Sequence, residues 1–144
     1  MILGIQVVGA ALKGIMRQEC EISLNHNIGL RCRQYAMEHG GRFPNLWADL
    51  GPLEPGSNWP VVFRCPATDH AVGQWDRLDI WSDYRLLPGR TTNDPPKTLL
   101  VIEPLANHSG KGANVLFVDG STVWWSASRV LSNLPGPVGS QGKP

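Results

Sequence analysis

Residues 107–125, NHSGKGANVLFVDGSTVWW, decide how this chain folds. Asn114–Val118 is an apolar run of β-formers, Asp119-Gly120 is a turn dipeptide, and Ser121–Trp125 is a second β-forming run. An Asp-Gly pair between two such runs predicts a two-residue type I′ hairpin, because that turn needs positive φ at both central positions. The turn then sets the register. Leu116 faces Val123 and Val118 faces Ser121, with Trp125 on the same face; Val115, Phe117, Thr122 and Trp124 occupy the other. Both faces are apolar, so the hairpin is expected to be covered on both sides, or to meet a neighbouring subunit on one. Ahead of it, Gly110 and Gly112 flank Lys111 in an entry loop after His108.

Working outward, Thr98–Ile102 is continuously apolar and reads as a central strand. Val61–Cys65, stopped by Pro66, reads as a short strand, and Ile80–Leu87 as another. From Arg17 to Glu38 the period is helical. Cys20, Leu24, Ile28, Cys32 and Tyr35 recur at spacings of four, four, four and three, which places them on one face. Gly29 lies inside this helix at a cost of about 1 kcal/mol relative to Ala, which marks a close backbone approach. Gly40-Gly41 ends the helix, Pro44 prevents its continuation, and Asn45 is the expected N-cap of a short helical turn through Leu50. A long N-terminal α-helix packed on a small antiparallel β-sheet is an α+β fold.

The chain of 144 residues carries a net charge of +1 and only 17% charged residues, so neither nucleic acid nor an anionic membrane surface is an expected partner. Sixteen Gly and twelve Pro point to short elements and many turns, and six Trp exceed what one modest core needs. Three segments follow. Residues 1–16 are mostly apolar, too short to span a bilayer as written, and interrupted by Lys13. Residues 17–131 form the α+β domain. Residues 132–144, SNLPGPVGSQGKP, have almost no apolar payload and are expected to be a disordered tail.

The hairpin segment resembles the prepilin-type "H-X9-DG" family, relatives of type IV pilins and of the type II secretion major pseudopilin. The resemblance rests on His108, the Gly-rich spacer with Gly110 and Gly112, the strand opened by Asn114, and Asp119-Gly120. Ten residues separate His108 from Asp119 where the family has nine, and a Gly-rich loop absorbs the extra one. Ile28-Gly-Leu30, Tyr35-Ala36, Gly40-Gly-Arg-Phe-Pro44, Phe63-Arg-Cys-Pro66, Trp81-Ser-Asp-Tyr84 and Glu103-Pro104 follow the family's order, over residues 20–125. The resemblance implies a pilin-like fold and a non-enzymatic structural subunit of a bacterial cell-envelope filament or secretion pseudopilus. Such a subunit associates with itself or with other pilin-like subunits and meets the inner membrane through its N-terminal helix. Residues 1–16 stand where the end of that anchor helix is expected, although the family's processing site is not written there. The alternative is a monomeric envelope-associated binding module in which Trp47, Trp59, Trp75 or Trp81 stacks on glycans or peptides.

No nucleophile elbow, phosphate loop or dinucleotide fingerprint occurs, so no catalytic residue is assigned. Cys65-Pro-Ala-Thr-Asp69-His70 offers ligand types without a second ligand pair, which argues against zinc. No cofactor is expected; the one cation considered is calcium, which pseudopilins of the resembled family often carry near the C-terminal sheet, and for it Asp119 and Glu103 are the nearby carboxylates, with Asp94 and Asp83 behind them, although Asp119 reads more simply as a turn residue. His108 is expected to anchor its loop by donating to a backbone carbonyl or to Glu103. Cys20 and Cys32 on one helix lie roughly 18 Å apart and cannot bridge. Cys65 is left to pair with either one, or all three are buried thiols.

Overall fold

The computed structural model describes residues 17–51 and 59–134. The expectations for residues 1–16 and for the tail beyond Leu134 fall outside them. Residues 17–38 are helical throughout (α1), with Ser23–Gly29 wound as π-helix and Leu30–Glu38 as α-helix. Four antiparallel strands follow: β1 (Arg85–Leu86), β2 (Leu99–Ile102), β3 (Gly112–Phe117) and β4 (Thr122–Ser126), in the order β1-β2-β3-β4. One short turn, α2 (Leu78–Trp81), precedes β1, and α3 (Ala127–Asn133) follows β4. This is an α+β fold with β2 and β3 inside the sheet.

The π segment explains the burial pattern of α1. In an ideal α-helix four residues overshoot a turn by about 40°, so four such steps carry a stripe about 160° around. A π turn closes i→i+5 and rotates less per residue, which takes back that drift. Cys20, Leu24, Ile28 and Cys32 are therefore fully buried and Ala36 is 1% exposed, a period of four sustained over the helix. Tyr35, expected on this stripe, lies instead half-buried beside it and stacks on His39 at 3.7 Å between ring centroids. Gly29 sits against the sheet: a Cβ there would meet Leu116 Cδ1 at 3.3 Å.

The hairpin differs from expectation by one residue. Leu116 pairs with Thr122 and Val115 with Val123, so the loop is Val118-Asp119-Gly120 rather than Asp119-Gly120. Gly120 N–H donates to Phe117 O at 2.9 Å, and Gly120 alone in the loop has positive φ, +86°. That is a three-residue loop closed by a left-handed glycine, the usual alternative to a type I′ turn. The slip moves Trp125 to the face of Val115 and Phe117. On that side Val130 of α3 joins Leu87, Leu99, Ile102 and Ala113 in a second core, while Leu100, Val101, Leu116 and Val118 face α1. Leu100 and Val101 share a face because the β2–β3 register shifts between Leu99 and Val101. Gly120→Val should therefore cost more than about 1 kcal/mol, through positive φ and the Arg33 guanidinium beside it. Gly120→Asn should cost less, since Asn tolerates that region. Urea midpoints of the two variants decide the order.

Four further expectations are corrected. Val61–Cys65 is not a strand: Trp59–Phe63 is a 3₁₀ turn. A short apolar run looks the same as a buried helical turn, and Pro60 suits the start of one. Ile80–Leu87 is not one strand but α2 followed by the two residues of β1, and Ile80 points to solvent. Asn45 does not cap the 3₁₀ turn Trp47–Leu50. Its side chain accepts from Gly89 N–H, and Asp79 accepts from Trp47 N–H (2.6 Å) and Ala48 N–H (2.9 Å) in its place. At the other end, Ser132 and Asn133, assigned to the tail, complete α3.

Candidate functional site

Pro104 ends β2's extended run and opens the 3₁₀ turn Leu105–His108, which Ser109 (φ +57°) and Gly110 (φ +76°) close in the left-handed region. The chain thereby returns as β3 beside β2. Glu103 N–H donates to Asn114 O (3.1 Å), and Asn114 N–H donates to Glu103 Oε2 (2.8 Å). The carboxylate thus stands in for a backbone carbonyl at the end of the ladder. Gly112 leaves no room for a side chain against Trp124 and the Trp125 carbonyl, which is the reason for a glycine there.

This turn carries His108 inward. Its Nε2 lies 2.9 Å from Glu103 Oε2 and 3.7 Å from Cys65 Sγ. Cys65 is joined to Cys20 of α1 in a disulfide with Cα atoms 5.4 Å apart. Of the two partners sequence left open, the structure places Cys20 there, and Cys32 remains a buried free thiol. Ligand-type atoms of Cys20, Cys65, Glu103 and His108 all lie within 4.8 Å of one another. The His108 side chain is 7% exposed and that of Glu103 not at all. Trp124 covers the imidazole edge-on at 5.2 Å, and the Arg17 guanidinium lies over Trp124. Among the described residues, Glu103 Oε1 is buried with no hydrogen-bond partner, as is Asn114 Oδ1. An unpartnered buried oxygen costs about 1–3 kcal/mol, more for a charged group. Asn114 Nδ2 donates to Arg17 O, which ties the sheet to α1.

A second polar cluster holds the Cys65 loop from behind. Asp83 Oδ2 accepts from Cys65 N–H and Thr68 Oγ1–H, each at 2.8 Å, and His70 Nε2 lies 2.8 Å from the same carboxylate. Asn107 Nδ2 donates to Asp83 O, so both clusters meet on one residue pair. His70 of the Cys-Pro loop therefore faces Asp83 and is not part of the Cys65–His108 cluster. Its imidazole is held above its ordinary range, first by the Ala71 carbonyl and then by Asp83. A raised folded-state value stabilises fully below the unfolded value of 6.5 and is lost as pH rises through the folded one. The stability gap between wild type and His70→Gln should be widest below the unfolded value of 6.5 and shrink as pH rises through the raised folded one. It should be small throughout, because His70 is 39% exposed and screened. Thermal melts across that range read it.

The carboxylates considered for calcium do not converge. Asp119 pairs with Lys97 Nζ (2.9 Å) and accepts from Ser121 N–H (2.9 Å). Ser121 and Lys97 hold its carboxyl down to about 2. Glu103 is bonded at Asn114, five residues back from Asp119 along β3 and the hairpin loop. Asp94 accepts from Thr91 N–H, and Asp83 is committed to the Cys65 loop. Burial pushes the Cys32 thiol up to about 12, against the neighbouring Arg33 and Arg31, so it is no nucleophile at neutral pH. Of the tryptophans considered as surface platforms, Trp47 is buried at 2% exposure and donates to Tyr84 O. Trp75 and Trp81 are half-buried; Trp75 packs on Phe63, and Trp81 donates to Gln74 O. The side chain of Trp59 lies outside the described residues. Sequence reading left His108 a backbone carbonyl or Glu103 as partner, of which the structure places Glu103 there, and it missed Cys65 beside them, 43 residues away along the chain.

The chain thus defines an α+β domain whose N-terminal helix packs on one face of a four-stranded antiparallel sheet and is joined by a disulfide to the loop after Phe63. Compared with protein-family models, curated proteins and solved structures, it finds no match.

Proposed function

We propose that this protein is a pilin-like or pseudopilin-like structural subunit of a bacterial cell-envelope filament or secretion pseudopilus, non-enzymatic and assembling through its N-terminal helix. The observation that carries the reading is α1 itself. Its inner stripe is fully buried on the sheet, while Ile22 and Leu30 (each 55% exposed) and Met37 (86% exposed) leave apolar side chains outward along the same helix. A helix bound to its own domain on one side and apolar on another suits packing against further copies. The disulfide agrees with an oxidising envelope compartment. The residues of the H-X9-DG resemblance support it too: His108, Gly110, Gly112, Asn114 and Gly120 shape the turn and hairpin, not a reaction site. Among the described residues no helix is long and apolar enough to cross a membrane, so membrane attachment in this proposal rests on residues 1–16.

Sedimentation velocity of the full chain tests the reading. Self-association should rise with concentration, weaken in Leu30→Asp without a change in melting temperature, and vanish when residues 1–16 are deleted. A full chain that stays monomeric at every concentration, with or without lipid, removes it.

A further inference from the structure

We propose that reduction of the Cys20–Cys65 bridge turns the buried cluster into a zinc(II) site, with the two thiolates, His108 Nε2 and the Glu103 carboxylate as its four ligands. Two thiolates, one imidazole and one carboxylate are the donor types that zinc takes in tetrahedral sites. The spacing comes close to what such a site needs once the two sulfurs, bonded to each other in the closed bridge, part on reduction. Zinc–ligand bonds of about 2.0–2.3 Å place neighbouring ligands roughly 3.3–3.8 Å apart. Here the four donor atoms lie within 4.8 Å of one another, and Cys65 Sγ already stands 3.7 Å from His108 Nε2. The ligands come from four separate places on the fold: α1, the turn after Phe63, the end of β2, and the 3₁₀ turn Leu105–His108. Three of them are fixed by contacts of their own. Asn114 N–H holds the Glu103 carboxylate, Asp83 holds the Cys65 backbone, and Trp124 covers the imidazole. Such outer contacts orient ligands in zinc sites.

A second, independent observation points to a cation. Glu103 Oε1 is buried without a donor while its side chain is wholly removed from solvent. With the bridge closed, the two sulfurs carry no charge and offer no thiolate. A dithiol reductant breaks the S–S bond, delivers two electrons and two protons, and leaves as its own disulfide. Zinc(II) then displaces both thiol protons to solvent, and the proton that His108 Nε2 shares with Glu103 Oε2 moves to His108 Nδ1, which frees Nε2 and the carboxylate for the metal; with a neutral imidazole before and after, the net exchange releases two protons per metal bound. The closed bridge and the zinc site are therefore alternative locks on the same four segments.

The test uses the full chain, with a phosphine as reductant, which takes up the oxygen of water and spares the metal. Cobalt(II) is the spectroscopic probe, and zinc(II) competes it out. The reduced chain should bind one cobalt per molecule with a thiolate-to-metal charge-transfer band, and the oxidised chain none. His108→Ala and Glu103→Gln should each weaken binding at least about tenfold, and Cys32→Ser should leave it unchanged. Reduction with zinc present should also give a higher melting temperature than reduction with EDTA, because the metal binds the folded state. This last comparison covers a reduced chain that unfolds without metal. Equal melting with zinc and EDTA overturns the proposal. So does binding that survives His108→Ala undiminished, or that is lost in Cys32→Ser.

Discussion

Leu24→Ala and Ile28→Ala should each lower the unfolding free energy by about 2–5 kcal/mol, with the urea midpoint falling accordingly. Both side chains are fully buried in the core that includes Leu100, Val101 and Leu116. Truncation removes the transfer free energy of the lost carbons and leaves a cavity, and the surroundings can close only in part. Gly29 makes closure harder here. A single carbon added at Gly29 would already meet Leu116 Cδ1 at 3.3 Å, so the helix has little room to settle closer to the sheet and fill the space. Against a typical total of about 5–15 kcal/mol, either variant removes a large share. Leu30→Ala on the same helix is the control: Leu30 is 55% exposed and should stay within about 0.5 kcal/mol of wild type. Equal midpoints for Leu24→Ala and Leu30→Ala would mean that α1 does not depend on its buried stripe.

The stripe itself was readable because it is local, and so was the existence of the hairpin. Its register was not. Asp119-Gly120 serves a two-residue and a three-residue loop equally well, and the choice is made by residues elsewhere. Val118 N–H donates to Thr98 O, Asp119 N–H donates to Pro96 O, and Lys97 pairs with Asp119. These bonds hold Val118 in the loop, and one residue of slip then exchanges the faces of β4. The same holds for Tyr35, whose place depended on a π segment that no periodicity shows in advance. At the site, Glu103 and His108 are five residues apart, near enough for Glu103 to stand among the two acceptors open to His108, but the choice between them was not local. The approach of Cys65, and the part Asp83 plays in presenting it, are set by contacts across 43 and 18 residues. Chemistry at that range is written in the sequence only as residue types in a certain order.

Removing the bridge as the double variant Cys20→Ala/Cys65→Ala should cost about 4 kcal/mol. The bridge closes a loop of 45 residues, and the loss of unfolded-chain entropy from a loop of that length corresponds to about 4 kcal/mol at 25 °C. If the effect lies in the unfolded state, the variant's denaturant slope should rise as well, because an unlinked chain exposes more surface. A purely native-state effect predicts something different. The start of α1 is also tied by Asn114 Nδ2 to Arg17 O and, more weakly, by Tyr84 Oη–H to Cys20 O at 3.5 Å. If these bonds hold the helix start unaided, amide exchange at residues 20–24 should keep the rank it has in wild type, with every protected amide losing the same free energy. If the bridge is what holds the helix start, those amides should lose protection first while β2 and β3 keep theirs. Urea titration followed by hydrogen exchange of the double variant, with EDTA in every buffer to exclude metal, separates the two. An unchanged midpoint together with unchanged exchange would mean that the hydrogen bonds and the buried stripe already restrain α1 as fully as the disulfide does.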